Sequence, residues 1–431
     1  MTEPAGPAAS LRFRVPPPGA TRILVVLALI NLVAYPARNR LFAVYPELRL
    51  KYGVDDAEIG FLQTVFMLPH AIATLPFGWA GDRYDRRRVI AVGLVIASLA
   101  GAGGALAERW ESLALSRALV GFGTAAVVPV ANSILGQLYD GPTKASRISI
   151  FNLGLFLGGV TGFVVGGLVR FPLVVVVLAI PGLVLAAVLS SLPVPTRASR
   201  SPSTSLSSYI ATFTRRFVVE GRELLAIRTL RWVILSTTTM AFAAGGYNAW
   251  LLDFLKVEKG MSEGQAQTLL VMALFAGLAG ILLGGRIADR LRARATTGRL
   301  WTIAIGMSLT IPCSAIAIVI PLGPGLYAAG VATMFFISWY HAPVAATVDD
   351  LAPAGRSVAA QGLVIFTMHL VGTAPSSWIV GLVSDAASLS TAMWVPTVAL
   401  AVAALCMAAA TRSFATDADS ARRSRLGPPI V

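Results

Sequence analysis

Gly78-Trp-Ala-Gly-Asp82-Arg83-Tyr-Asp85-Arg86-Arg87-Arg88 lies between two long apolar segments. A weaker copy, Gly285-Arg-Ile-Ala-Asp289-Arg290-Leu-Arg292, lies between two others. Each places a glycine, then an Asp-Arg pair four and five residues on, then further arginine. A surface loop of a water-soluble domain has no need of this order twice, at matching places in two apolar halves. The repeat therefore predicts a duplicated, membrane-embedded chain.

The composition agrees. Of 431 residues, 56% are hydrophobic and 13% charged, with mean hydropathy +0.73. A soluble domain carries roughly 25% charged residues, so this chain cannot cover its surface with charge in water. Cys313 and Cys406 both lie in apolar runs, which argues against a disulfide framework or a thiolate metal site. Counting runs of about 20 apolar residues predicts twelve spans: 22–46, 59–80, 88–107, 113–138, 147–169, 172–192, 229–254, 264–288, 300–320, 325–348, 357–383 and 391–411. Arg38 and Arg40 interrupt the first, which reads as a permanent helix with no cleavage site after it. With both termini cytoplasmic, 26 of the 35 Lys and Arg residues fall in inner loops and tails against 8 on the other side, and Arg117 stays inside a span. That asymmetry sets the orientation by the positive-inside rule and accounts for the net charge of +14 without nucleic acid.

Residues 193–228 are the largest polar interruption and part six spans from six. They open Pro- and Ser-rich, and from Tyr209 to Arg228 they set Phe213, Phe217, Leu224 and Ile227 against Arg215, Arg216, Arg222 and Arg228, the pattern of a helix lying on the inner membrane surface. Six and six spans, with the Gly-Asp-Arg loop after the second span of each half, resemble the major facilitator superfamily. The expected fold class is an all-α membrane protein of twelve transmembrane helices. Its parts are a tail (1–21), a six-helix bundle (22–192), a linker (193–228), a second six-helix bundle (229–411) and a tail (412–431). The resemblance implies two halves that rock about a midplane site. It also implies a conformational latch on the inner side, formed by Gly78, Asp82, Arg83, Arg86, Arg87, Gly285, Asp289 and Arg290. In that role Gly78 permits close helix approach, Asp82 accepts from the N–H groups of a neighbouring helix start, and the arginines meet acids or lipid phosphates.

Gly60-Phe-Leu-Gln-Thr-Val-Phe66, Pro76 to Arg87, Ser116-Arg117-Ala-Leu-Val-Gly121-Phe-Gly123, Arg147-Ile-Ser-Ile-Phe151, His369-Leu-Val-Gly372 and Ile379 to Asp385 are similar to the Spinster family of lysolipid and sphingolipid transporters. Two departures stand out. Where that family has an Asp-Arg pair in the first span, this chain has Ala37-Arg38; where it has Gly-Glu in the fourth, this chain has Gly123-Thr124. Both carboxylates that the resemblance implies for proton coupling are absent. The fifth span, Gly158 to Gly167, resembles the glycine-rich motif of drug–proton antiporters, and its small residues read as a packing seam.

Ionisable residues within spans are functional candidates because each costs at least about 2.5 kcal/mol near the bilayer centre. Arg38 and Arg117 have no acid among nearby motif positions, so a phosphate or carboxylate head group is the expected counter-charge. Asn31, Thr124, Asn152, Trp339 and His341 are further candidates for lining the same cavity. His341 and His369 are candidate proton carriers, because imidazole titrates near neutral pH. The bland alternatives are snorkelling arginines, packing histidines and helix–helix amide bonds.

The reading favours a secondary-active or facilitative transporter of lysophospholipid-like amphiphilic anions, working by alternating access. Alternatives are a multidrug or small-solute proton antiporter on the same fold, and a non-transporting sensor or scaffold. No nucleotide-binding glycine loop or nucleophile–base arrangement occurs, so neither an enzyme, a cofactor nor a metal is expected. The expected partners are an amphiphilic or anionic small molecule and membrane lipids, with no nucleic acid, and a monomer as functional unit. Arginine outnumbers lysine 31 to 4, a composition that favours a bacterial inner membrane.

Overall fold

The computed structural model describes residues 17–139, 143–194, 205–353 and 356–426. The terminal tails in large part, the Pro- and Ser-rich start of the linker and the side chain of Asp82 lie outside the described residues. Among the described residues there is no strand, and the chain forms twelve long helical rods. Ten are long and apolar enough to cross a membrane: α1 (Ala20–Tyr52), α2 (Asp56–Gly81, helical to Arg83), α3 (Arg86–Leu106), α4 (Trp110–Leu135), α6 (Leu173–Ser191), α8 (Glu263–Arg294), α9 (Gly298–Val319), α10 (Pro324–Leu351), α11 (Ala359–Ala386) and α12 (Leu389–Ser424). The set is completed by α5 (Thr143–Leu168) and α7 (Arg228–Asp253), each of 26 residues.

Local sequence sets the ends and breaks. Asp55 and Glu58 form a capping box at the start of α2, and Ser262 and Gln265 form one at the start of α8, each satisfying two orphan N–H groups. In α1 the α-helix stops at Ala34, two residues before Pro36, whose missing N–H forfeits a helical bond. The chain then runs through short turns, Pro36–Asn39 and Arg40–Val44, into the helix Tyr45–Tyr52. The first rod thus continues beyond the expected limit at residue 46, because the polar residues after it remain helical up to the left-handed Gly53 (φ 64°). In α11 the helix widens into a π-turn at Met368–Thr373.

The glycine-rich fifth rod packs on the first. A Cβ on Gly154 would stand 2.3 Å from the Ala28 carbonyl oxygen, and one on Gly158 2.5 Å from that of Leu32. The i, i+4 spacing of these glycines is a seam for close backbone approach.

The apolar cores show how the two sets of six helices meet. At the end opposite the arginine-rich loops, one continuous core joins Phe42, Tyr45, Ile59, Leu62 and Val174 to Trp250, Phe254, Leu269, Val380 and Met393. At the basic end there are two separate cores, one around Ile23, Ile90, Ile134 and Phe151 and one around Leu230, Ile303, Val348 and Met407. The halves are therefore fused at the far end and apart at the basic end.

The linker contains a helix, Leu206–Ala226, capped by Ser205. Phe217 packs edge-on against Phe366 of α11 at 5.2 Å, Leu224 is buried in the second basic-end core, and Glu223 pairs with Arg356 at 2.7 Å. On its other flank, Tyr209 Oη stands 3.7 Å from the place a Cβ on Gly78 would occupy.

Candidate functional site at the junction of α1, α2, α4 and α11

The broken middle of α1 places Arg38 half-buried, its guanidinium 5.8 Å from the Tyr35 ring. It makes no ion pair with any described residue, and its Nε is buried without a partner. Two histidines share its electrostatic surroundings: His70 from α2, and His369 from the π-turn of α11 in the opposite half. His70 is stacked on Phe66 at 5.8 Å, and its Nδ1 lies 3.2 Å from both Thr124 Oγ1 and the Gly121 carbonyl. Thr124 also donates to its own helix at the Val120 carbonyl, 2.9 Å away. The π-turn frees His369 from a regular helical register, a form of irregularity that recurs at functional positions, and its Nδ1 is buried without a partner. Ala37, Phe66, Val120 and Ala374 pack in one apolar cluster, which brings α1, α2, α4 and α11, from both halves, together beside Arg38, His70, Thr124 and His369.

Arg117 is placed differently from its sequence expectation. It is 2% exposed, stacks over Phe66 at 4.7 Å, and donates to the carbonyls of Ala37 and Arg38, the second at 3.0 Å. The partner that the sequence did not reveal is backbone: the irregular turn of α1 presents carbonyls that no side-chain pattern displays. Arg117 therefore holds the segment that carries Arg38.

The other candidates scatter. Asn31 donates to the Phe151 carbonyl at 3.0 Å, tying α1 to α5. Asn152 is exposed on α5. Trp339 packs against Gly284 of α8 and Gly306 of α9, whose Cβ atoms would fall 2.7 and 2.9 Å from it. His341 is exposed and tilted on Tyr340 at 4.1 Å. Sequence reasoning missed His70 as a site residue, although its place one helical turn from Phe66 was visible.

The described contacts of the two Gly-Asp-Arg loops lie within each half. Arg86, 3% exposed, donates to Gln137 Oε1 at 2.6 Å and to the Gly81 carbonyl at 3.2 Å. Arg87 grips Asp85 at 2.6 Å and the Leu192 carbonyl at 2.7 Å, and Arg83 lies 5.3 Å from the Trp79 ring. In the second copy Asp289 is 3.8 Å from Arg299, which also holds Asp350 at 2.8 Å; Arg290 is exposed and Gly285 half-buried. Gly78 makes no close helix approach; Gly81 does, since a Cβ there would stand 2.9 Å from Val130.

At the far end the halves are locked by charge. Asp385 of α11 accepts from the Asp56 and Ala57 N–H groups at 2.9 and 2.7 Å, at the start of α2. Arg49 pairs with Asp56 at 2.6 Å and with buried Asp253 of α7. Gly60 and Gly381 let α2 and α11 touch backbone to backbone: Cβ atoms there would lie 2.2 Å from the Ser377 carbonyl oxygen and 2.3 Å from that of Asp56.

Comparison with known proteins accords with this architecture. The chain is 29% identical over 392 residues to Protein spinster homolog 3 of Danio rerio, covering 85% of this chain and 77% of that one. It is 26% identical to a sphingosine-1-phosphate transporter of Mus musculus, covering 85% and 70%. Among solved structures, a bacterial homologue of the human lysosomal transporter Spinster, inward-facing and unoccupied, superposes with TM-score 0.80 at 21% identity, over 93% of this chain and 98% of the other. The family model described as Major Facilitator Superfamily matches residues 27–375, and the chain belongs to that superfamily, as a multi-pass membrane transporter that resembles the Spinster proteins.

Proposed function

We propose that the protein moves lysophospholipid-like amphiphilic anions across a bacterial inner membrane by alternating access, as a secondary-active or facilitative transporter and as a monomer among membrane lipids. The basic end is cytoplasmic in this reading, and the halves are residues 22–192 and 229–411, joined by the linker 193–228. The observation that carries it is Arg38, a half-buried guanidinium with no acid paired to it among the described residues, set where α1 packs with the rods that carry His70 and His369 of opposing halves. A phosphate there gains charge-assisted, bidentate hydrogen bonds that a fully exposed arginine gives only weakly. Arg117 acts as a positioning residue through the Arg38 carbonyl. The family resemblance and the sphingosine-1-phosphate transporter among the relatives support the cargo class.

The test is flux of a lysophospholipid into proteoliposomes with and without an imposed pH gradient. Arg38→Ala is expected to cut flux roughly 10- to 100-fold, the loss of one charged hydrogen-bonded pair at about 1.5–3 kcal/mol. Arg117→Ala is expected to cut it and to loosen the protein as well. Wild-type protein that carries no lysophospholipid, or an Arg38→Ala variant that carries it at the wild-type rate, would overturn the proposal.

A further inference from the structure

Arg40 is 2% exposed, as deeply placed as Arg117, yet it donates no hydrogen bond to any described residue, and its Nε is among the buried atoms with no partner. Its Nη2 reaches to 2.7 Å from the point a Cβ would occupy on Gly101 of α3. Arg40 lines a small cleft of about 20 Å³, together with Ala37, Ser98, Thr124, Ala179 and Gly182. Ser98 Oγ makes no hydrogen bond to a described residue either, and it stands 2.3 Å from where a Cβ on Gly182 would be. The second piece of α6, Ile180–Ser191, starts at this cavity, with Ala179 as its N-cap and Gly182 in its first turn. That brings the partially positive end of a helix to the same place. No Asp or Glu lines it.

An arginine keeps its charge in any protein environment, and a buried charge without a counter-charge costs several kcal/mol. The cavity concentrates a guanidinium, a free hydroxyl and a helix start, all favourable to an anion and none to a cation. Its volume admits one particle about the size of a water molecule, too little for a phosphate or carboxylate head group. We propose that Arg40, Ser98 and the first turn of the second α6 piece bind one small monatomic anion, for which chloride is the probe. The anion supplies, inside the first six helices, the negative charge that Ala37 and Thr124 do not. This site borders the cargo position at Thr124 but does not use Arg38, His70 or His369, and its test reads stability, so either proposal can fail without the other.

The experiment is thermal unfolding of the purified protein in detergent, in chloride, bromide or gluconate series at constant ionic strength. Wild type is expected to gain about 3 °C in midpoint with chloride and with bromide, saturating, and nothing with gluconate. Arg40→Met and Ser98→Ala are expected to abolish and to weaken that gain. Should Arg40→Met fail to fold, Ala37→Asp provides a second arm: a resident carboxylate at the cavity should remove the halide dependence. Crystals soaked in bromide should show anomalous density beside Arg40. Equal wild-type midpoints in chloride and gluconate would overturn the proposal and leave the cavity to water. So would a halide effect that survives both Arg40→Met and Ala37→Asp.

Discussion

Single residues at the basic end show how charge is spent here. Asp85 caps α3 by accepting from the Arg87 N–H at 3.0 Å and pairs with the Arg87 guanidinium. The hydrogen bonds from that guanidinium hold the Asp85 carboxyl below the usual carboxylate range. A depressed folded-state value means stabilisation that is present above the unfolded value of about 4 and is lost as pH falls through the lower folded one. Asp85→Asn is expected to cost about 0.5–1 kcal/mol at pH 7, since the pair is partly solvated. It should also flatten the acid limb of stability below about pH 4; melting curves between pH 7 and pH 3 check both. The Gly-Asp-Arg pattern was legible as a superfamily signature, but its partners were not. Gln137, the Gly81 carbonyl and the Leu192 carbonyl lie on other rods or on backbone, where spacing in the sequence says nothing. Arg40 illustrates the same limit. Counted along the chain it reads as an outer-side charge that interrupts the first span, whereas the rod continues to Tyr52 and keeps Arg40 buried.

At the scale of elements, the contact between α2 and α11 decides the conformation. Neither Gly60 nor Gly381 can accept a methyl group without displacing the opposing backbone, and displaced backbone, unlike a side-chain tip, has no cheap way to yield. Gly60→Ala and Gly381→Ala are each expected to weaken far-end closure. Breaking the lock at Arg49 should do so too, because Asp253, with its side chain fully buried, would lose a pair worth about 3–5 kcal/mol to disrupt. Thiol labelling of Thr64→Cys from the far side, in a protein with Cys313 and Cys406 replaced, measures the opening. An unchanged labelling rate in all three variants would refute this account of the seam. The rods themselves were largely predictable, because lipid imposes length and apolarity on each. The π-turn of α11 and the turns inside α1 were not, since they answer to neighbours across the bundle rather than to local propensity.

For the whole molecule, one shared core at the far end and two at the basic end mean that the halves part toward the basic side. A membrane-impermeant thiol reagent should therefore label His341→Cys quickly when supplied from the basic side and slowly from the other. The reverse ranking would mean that the resting state is the opposite one. Passage to that state requires parting Tyr45 from Trp250, whose rings lie 5.2 Å apart, a contact worth about 0.5–1.5 kcal/mol beyond its buried area. The far-end charges separate in the same step.

The linker helix adds a mechanical consequence. Through Phe366, Arg356 and the core around Leu224 it is fastened to the second set of helices, and near its start it meets the first set where Tyr209 stands beside Gly78. It therefore stands as a doorstop between two leaves: any closing of the basic-side mouth has to accommodate Tyr209 at the glycine that leaves it room.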